Sequence, residues 1–191
     1  MGKENELGTT ELLKQLIDGR VGLVDTALIA KVTAFNVSDN AAPTVNVKPI
    51  HKYFINDELR ELPELMEVPL LLPGSGQWML TTPVAAGDSV LIVITKYAFD
   101  IWAQNGASGA ETKRSKFSLS NAIAIAGLHP ANNPIASYNT NAMELRNTDG
   151  SAKMTLDGTR ATFSGDVIFK SEGQDVSLSA FYQDYLNHTH P

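Results

Sequence analysis

Two of the four histidines in this chain stand one residue apart at its end, in His188-Thr189-His190-Pro191. In extended backbone, residues i and i+2 point to the same side, so His188 and His190 would present two imidazoles to one place. Two ligands do not close a metal site, since a structural zinc takes about four. Three identical chains meeting on a threefold axis would supply six imidazoles in two layers of three. That octahedral set of nitrogens suits an iron-like or nickel-like divalent ion better than zinc. An isolated pair at a chain end reads as two solvated side chains. The metal reading therefore depends on whether the rest of the sequence builds a trimer.

Other chemistry is sparse. There is no cysteine, which removes disulfides, thiolate metal sites and a cysteine nucleophile. No Gly-rich phosphate loop, Gly-X-Ser-X-Gly or His-Glu-X-X-His occurs. Asp57, Glu58, Glu61, Glu64 and Glu67 form an acidic stretch. It has the residue type for a glycosidase pair but reads as a solvated face. His51 and His129 read as surface or loop histidines. Trp78 and Trp102 fit barrel or subunit-interface packing better than a sugar platform. The net charge of −6 argues against a phosphate-backbone binder, which needs a basic face.

The elements that would position the histidines are mostly β. Apolar residues make up 43% of the chain, enough for a packed core. No run of about 18 apolar residues spans a bilayer. The start, Met1 to Glu6, lacks the regions of a signal peptide, so the expected location is the cytoplasm unless a larger particle carries the chain out. Leu12, Leu13, Leu16 and Ile17 lie on one helical stripe, preceded by Thr9 and Thr10 as caps and stopped by Gly19. That helix would dock on its own domain or on a neighbouring subunit.

Alternation from Leu28 to Val37, with Leu28, Ala30, Val32 and Ala34 on one side, is followed by a six-residue turn and a second strand over 44–50. Residues 51–67 are charged and irregular. Strands follow at 68–73, 78–82 and 89–95, the last central and buried, with Gly87-Asp88 as the tight turn before it. Residues 103–116 read as a flexible loop, and 122–128 as a final apolar strand. Short strands without βαβ alternation predict a five-stranded OB-type barrel. His129 to Pro134, with two prolines and two asparagines, marks a domain boundary.

Beyond it, glycines recur at 150, 158, 165 and 173, closing polar turns between minimal alternating strands. Such strands offer two or three apolar side chains on one face. An antiparallel meander in one chain would have little to pack against and would leave an open edge. Three copies around one axis solve both problems, so residues 138–187 are expected to form an intertwined trimeric β-prism or β-helix. The Phe181 to Leu186 run would be a packed plug or a surface strand.

In this order the pieces resemble the central spike proteins of contractile phage tails. The resemblance covers nearly the whole chain. It is carried by Val45-Asn46-Val47-Lys48-Pro49, Val68-Pro69-Leu70-Leu71-Leu72-Pro73, Pro83 to Leu91, Phe99-Asp100-Ile101-Trp102 and Leu119 to Leu128. The glycine-punctuated tail and His188-Thr189-His190-Pro191 complete it. The resemblance implies a mainly β homotrimer: an OB collar joined to tail tube and baseplate hub proteins, an intertwined β-helix, and an apex where His188 and His190 of three chains bind one iron ion through six nitrogens. It implies a non-enzymatic spike in the virion tail tip or an equivalent contractile particle, piercing the host outer membrane mechanically and binding no nucleic acid. Because the sequence ends one residue after His190, a simpler apex or a site at the blunt end itself is expected. The expected divisions are an N-terminal helix or arm (1–19), the OB collar (20–130), a linker (131–137), the shaft (138–187) and the metal-binding apex (188–191). The competing reading is an OB-fold module for single-stranded nucleic acid or saccharide. A metalloenzyme is disfavoured, because six protein ligands leave no open position.

Overall fold

Strand alternation in the first half of the chain closes a barrel. The computed structural model describes residues 8–21, 24–38, 41–55, 58–108, 116–171 and 174–188. The chain divides into two compact units, residues 1–128 and 129–191. In the first, β1 (Ala27–Ser38), β2 (Ala41–Pro49), β5 (Leu65–Leu71), β8 (Ser89–Ile94) and β9 (Ala122–Leu128) form a closed barrel in the order β1-β2-β5-β9-β8. Every pairing is antiparallel except β5 with β9. Counted within the barrel, this is the order 1-2-3-5-4 of an OB-like Greek key. Leu28, Ala30 and Val32 of β1 point inward with Val45 and Val47, Val68 and Leu70, Val90 and Ile92, and Ala122 and Ala124. Asn121, buried at the start of β9, accepts the Thr95 N–H on its carbonyl at 3.0 Å and so pins β9 to the end of β8.

The expected inward set of β1 fails at one position. The ladder with β2 shifts between Val32 and Ala34, and beyond that bulge it is Phe35 that packs against the core. A bulge adds one residue and so exchanges the faces of a strand. The β1–β2 pairing also continues to Ser38↔Ala41, so the turn is tighter than six residues. The stretch expected to be irregular contains a hairpin, β3 (Lys52–Ile55) and β4 (Glu58–Glu61). The strand expected over 78–82 is a two-residue β7 (Trp78–Met79), paired with β6 (Gly74–Ser75) outside the barrel. Gly74 has to be glycine, because a Cβ there would meet the Trp78 carbonyl oxygen at 2.5 Å. The Gly87-Asp88 turn closes the barrel onto β1: Gly87 N–H donates to Val32 at 2.8 Å and Val32 N–H to Asp88 at 2.9 Å.

The first helix, α1 (Thr9–Val21), runs through Gly19. An interior glycine costs about 1 kcal/mol relative to alanine, too little to stop a helix by itself. Leu12, Leu13, Leu16 and Ile17 are all exposed, so the stripe is not buried on its own domain. A short second helix, α2 (Asp100–Asn105), begins the stretch expected to be a loop. No helix among the described residues is long and apolar enough to cross a membrane.

In the second unit, β10 (Met143–Arg146), β11 (Lys153–Leu156) and β12 (Ala161–Ser164) pair in sequence. The strands pair within one chain as an antiparallel meander. The register sorts the side chains completely. Met143, Leu145, Met154, Leu156, Ala161 and Phe163 share one face; Glu144, Arg146, Lys153, Thr155, Thr162 and Ser164 share the other. A hairpin follows, β13 (Ile168–Ser171) with β14 (Gln174–Ser177). The expected strand character then ends: residues Leu178–Asn187 form a helix, α3, not the last part of a β-shaft.

The polar face of the meander is built around Glu144, whose side chain is 5% exposed. Lys153 Nζ donates to it at 2.8 Å, Arg146 Nη1 at 3.1 Å and Thr155 Oγ1 at 3.3 Å. Arg146 also donates to the carbonyls of Ala136 and Ser137 at 2.6 and 2.8 Å, fixing the chain before β10 to the sheet. Gly150 lies against that guanidinium, at 2.5 Å from where a Cβ would stand, with a left-handed φ of 76°. The Lys153 ammonium, aided by Asn139 and Arg146, brings the Glu144 pKa down to about 2. Asp149 and Asp157 are also lowered, first by backbone N–H groups of Ser151 and Thr159 in their turns. A carboxyl with a depressed folded pKa contributes stability above its unfolded pKa and loses it as pH falls through the folded one. The melting temperature of the second unit should therefore fall between about pH 4.5 and pH 2. Glu144→Gln should lower it at neutral pH and flatten that acid slope. Circular dichroism melts with an unchanged slope in the variant would exclude Glu144 as its source.

Candidate metal centre

The terminal histidines follow a helix that the sequence starts with a serine cap. Ser177 is extended, and its hydroxyl accepts the Ala180 N–H at 3.1 Å. The first turn is anchored to the preceding chain: Leu178 N–H donates to the Val167 carbonyl at 2.8 Å and Ser179 N–H to Asp166 at 3.3 Å. The hydroxyls of Ser177 and Ser179 hold the Asp166 carboxyl below its usual range. At the other end His188 is the C-cap. Its N–H donates to the Tyr185 carbonyl at 3.3 Å, and its backbone is already extended, with φ −72° and ψ 109°.

These features fit the metal donor set as far as they extend. His188 is exposed, and its extended backbone is the conformation in which a residue two further on faces the same way. A helix C-terminus also favours a cation, because its last carbonyls are unpaired and the dipole ends negative. His190 lies outside the described residues. Among the described residues no group of three or more histidine, aspartate or glutamate side chains is placed to hold a metal. A metal here would need ligands beyond the described residues of one chain, and imidazole nitrogen suits iron, nickel, zinc or copper.

The other residues singled out do not converge on this place. His51 and His129 are exposed. Glu58 pairs with Arg60, Glu64 accepts from Thr33, and Glu61 is paired with Lys52 at 3.0 Å and Lys48 at 3.6 Å. Lys52, then Lys48, hold the Glu61 pKa down, the opposite of what a proton-donating glycosidase acid requires. Asp57 lies outside the described residues. Trp78 is 85% exposed, so it does not pack the barrel. Trp102 stands edge-on to Phe99, 6.2 Å between centroids. It borders an open groove of about 950 Å³ beside the β1–β2 ribbon. That groove carries Glu67 and no lysine or arginine among its described lining, which does not suit nucleic acid.

The sequence reading missed the helix before His188. Leu178, Phe181, Tyr182, Tyr185 and Leu186 follow the i, i+3, i+4, i+7, i+8 spacing of an apolar helical stripe, and Ser177 stands at the cap position. Both signals were present, but the alternation of the preceding strands carried the β reading forward.

The barrel is where comparison with known proteins applies. The family of the phage protein Gp138 N-terminal domain matches residues 28–127, from β1 to β9. The chain belongs to this family. No curated protein matches the chain. As a phage protein with the Gp138 N-terminal domain, the chain is supported in a structural, virion-associated role, and the matched domain is the OB-like barrel. The match ends before the second unit, so the meander and α3 lie beyond it.

Ser177→Ala should destabilise α3 by about 1 kcal/mol, raising its open population roughly fivefold. Hydrogen exchange at the amides of Tyr182 to Leu186 should quicken accordingly while the barrel amides stay unchanged. Equal protection in the variant would exclude Ser177 as the cap that holds the helix.

Proposed function

We propose that this protein is the central spike of a contractile tail, a homotrimer whose barrel forms the collar on the tail tube or baseplate hub. The second unit forms the shaft, and its histidines close the apex. The observation that carries the reading is the β10–β12 sheet. Met143, Leu145 and Phe163 are 67%, 56% and 57% exposed, although every residue on their face is apolar. A small sheet with one apolar face needs a second layer, and two or more packed layers are what make a stable domain. Three such faces turned to one threefold axis supply it, giving a β-prism in which each sheet keeps its own meander and its Glu144 face, tied to residues 136–139, points away from the axis.

In that arrangement three chains bring His188 and His190 together. Six neutral imidazoles would hold one iron-like ion, which supplies a cross-link between three chain ends. The collar receives the force of contraction, the shaft carries it, and the narrow end meets the outer membrane of the host. No catalytic step is involved.

Native mass spectrometry of the intact protein tests the reading. Three chains with one transition-metal ion is the expected species. The doubly substituted His188→Ala, His190→Ala protein should give the same trimer without the ion, and unchanged metal content there would sink the site assignment. A metal-free monomer would overturn the spike itself.

Acidification should release the ion, because protons compete with it for the imidazole nitrogens. Metal retained in strong acid would count against histidine ligation.

A further inference from the structure

We infer that α3 is an oligomerisation helix: three copies pack their Leu178, Phe181, Tyr182, Tyr185 and Leu186 stripes together as a parallel three-helix bundle, with His188 at its C-terminal end. The inference rests on the trimeric reading above and adds a helical segment between the β-shaft and the histidines.

All five stripe residues are 46–70% exposed, so the chain's own sheets do not cover them. A ten-residue helix is too short to be stable without packing on its apolar face. The exposed stripe amounts to roughly 600 Å² per protomer, and the apolar face of the meander adds a comparable area. Together they reach the roughly 800 Å² per partner of a stable interface.

Charge decides what covers the stripe. The helix carries Asp184 as its sole charged residue and no lysine or arginine. Helices that lie on anionic bilayers are rich in basic residues on the polar face, so a membrane surface is a poor match. A second and third copy are a good one. Identical stripes are self-complementary around an axis, the aromatic rings supply large contact area, and Asp184 stays on the rim. Parallel packing also brings three helix C-termini, each the negative end of its dipole, to the one place where a cation is proposed.

The chain has no cysteine, so single cysteines report cleanly. Tyr185→Cys lies at the centre of the stripe and Asp184→Cys off it. The two full-length variants are treated with a short bis-maleimide and, in parallel, weighed by native mass spectrometry without added metal. The expected result is a covalent dimer as the main product for Tyr185→Cys and only background for Asp184→Cys, both from intact trimers. Trimers in which both variants link equally, or neither links, overturn the bundle and leave the spike reading standing. A monomer overturns both. Protection of the Tyr185→Cys thiol from maleimide only when vesicles of phosphatidylethanolamine and phosphatidylglycerol are present assigns the stripe to a bilayer and overturns the bundle.

Discussion

The face of β10–β12 that carries Leu145, Met154 and Phe163 sets the terms for everything after the barrel. These strands are four residues long, so each contributes two side chains per face. The opposite face is committed to the Glu144 cluster, where Lys153 and Arg146 both pair with one carboxylate and Arg146 reaches back to hold Ala136 and Ser137. The sheet is therefore fixed in register, because a one-residue slip would put Glu144 on the apolar side. With its polar face specified so fully, the sheet has one face left for a second layer. In a symmetric oligomer that layer is the same face of another copy.

The barrel obeys a different economy. Its inward residues come from all five strands, and the closed order leaves no open edge. It encloses its own core, and the family match over residues 28–127 coincides with it. An OB-like barrel hosts many unrelated functions, so fold and membership together reach a phage structural protein and no further. The assignment of a spike leans instead on the second unit, where packing is incomplete within one chain.

Legibility in the sequence followed the same division. Alternation found β1 and β2, because half-buried strands write a period of two into the chain, continuous apolar runs found β8 and β9, and Gly87-Asp88 marked the turn that closes the barrel. The β3–β4 hairpin was hidden, since Lys52 pairs across it with Glu61 and Arg60 pairs with Glu58 within β4, all in solvent, which leaves no apolar period. Phe35 was assigned to the wrong face, because a bulge is a property of the ladder and not of the strand alone. In the second unit the glycine repeat gave the turns. Their Asp149 and Asp157 partners, accepting backbone N–H groups, explain why those turns are tight. Of the candidate site, the histidine pair was plain in the sequence, whereas the helix leading to His188 was not.

That helix changes the physical problem posed by a chain end. Three strand ends brought together must find ladder partners for every exposed N–H and carbonyl, and terminal strands fray when they do not. A helix satisfies its backbone internally, apart from its termini, and asks its neighbours only for side-chain contact. In the proposed trimer the apolar packing that joins the meander faces thus continues along Leu178, Phe181, Tyr182, Tyr185 and Leu186. Ser177 closes one end of each helix, and the proposed ion stands at the other, where the orphan carbonyls and the negative end of the dipole favour it. The extended backbone at His188 is then the point where helix gives way to ligand. The geometry that stops the helix is the same geometry that lets alternate residues face a common axis.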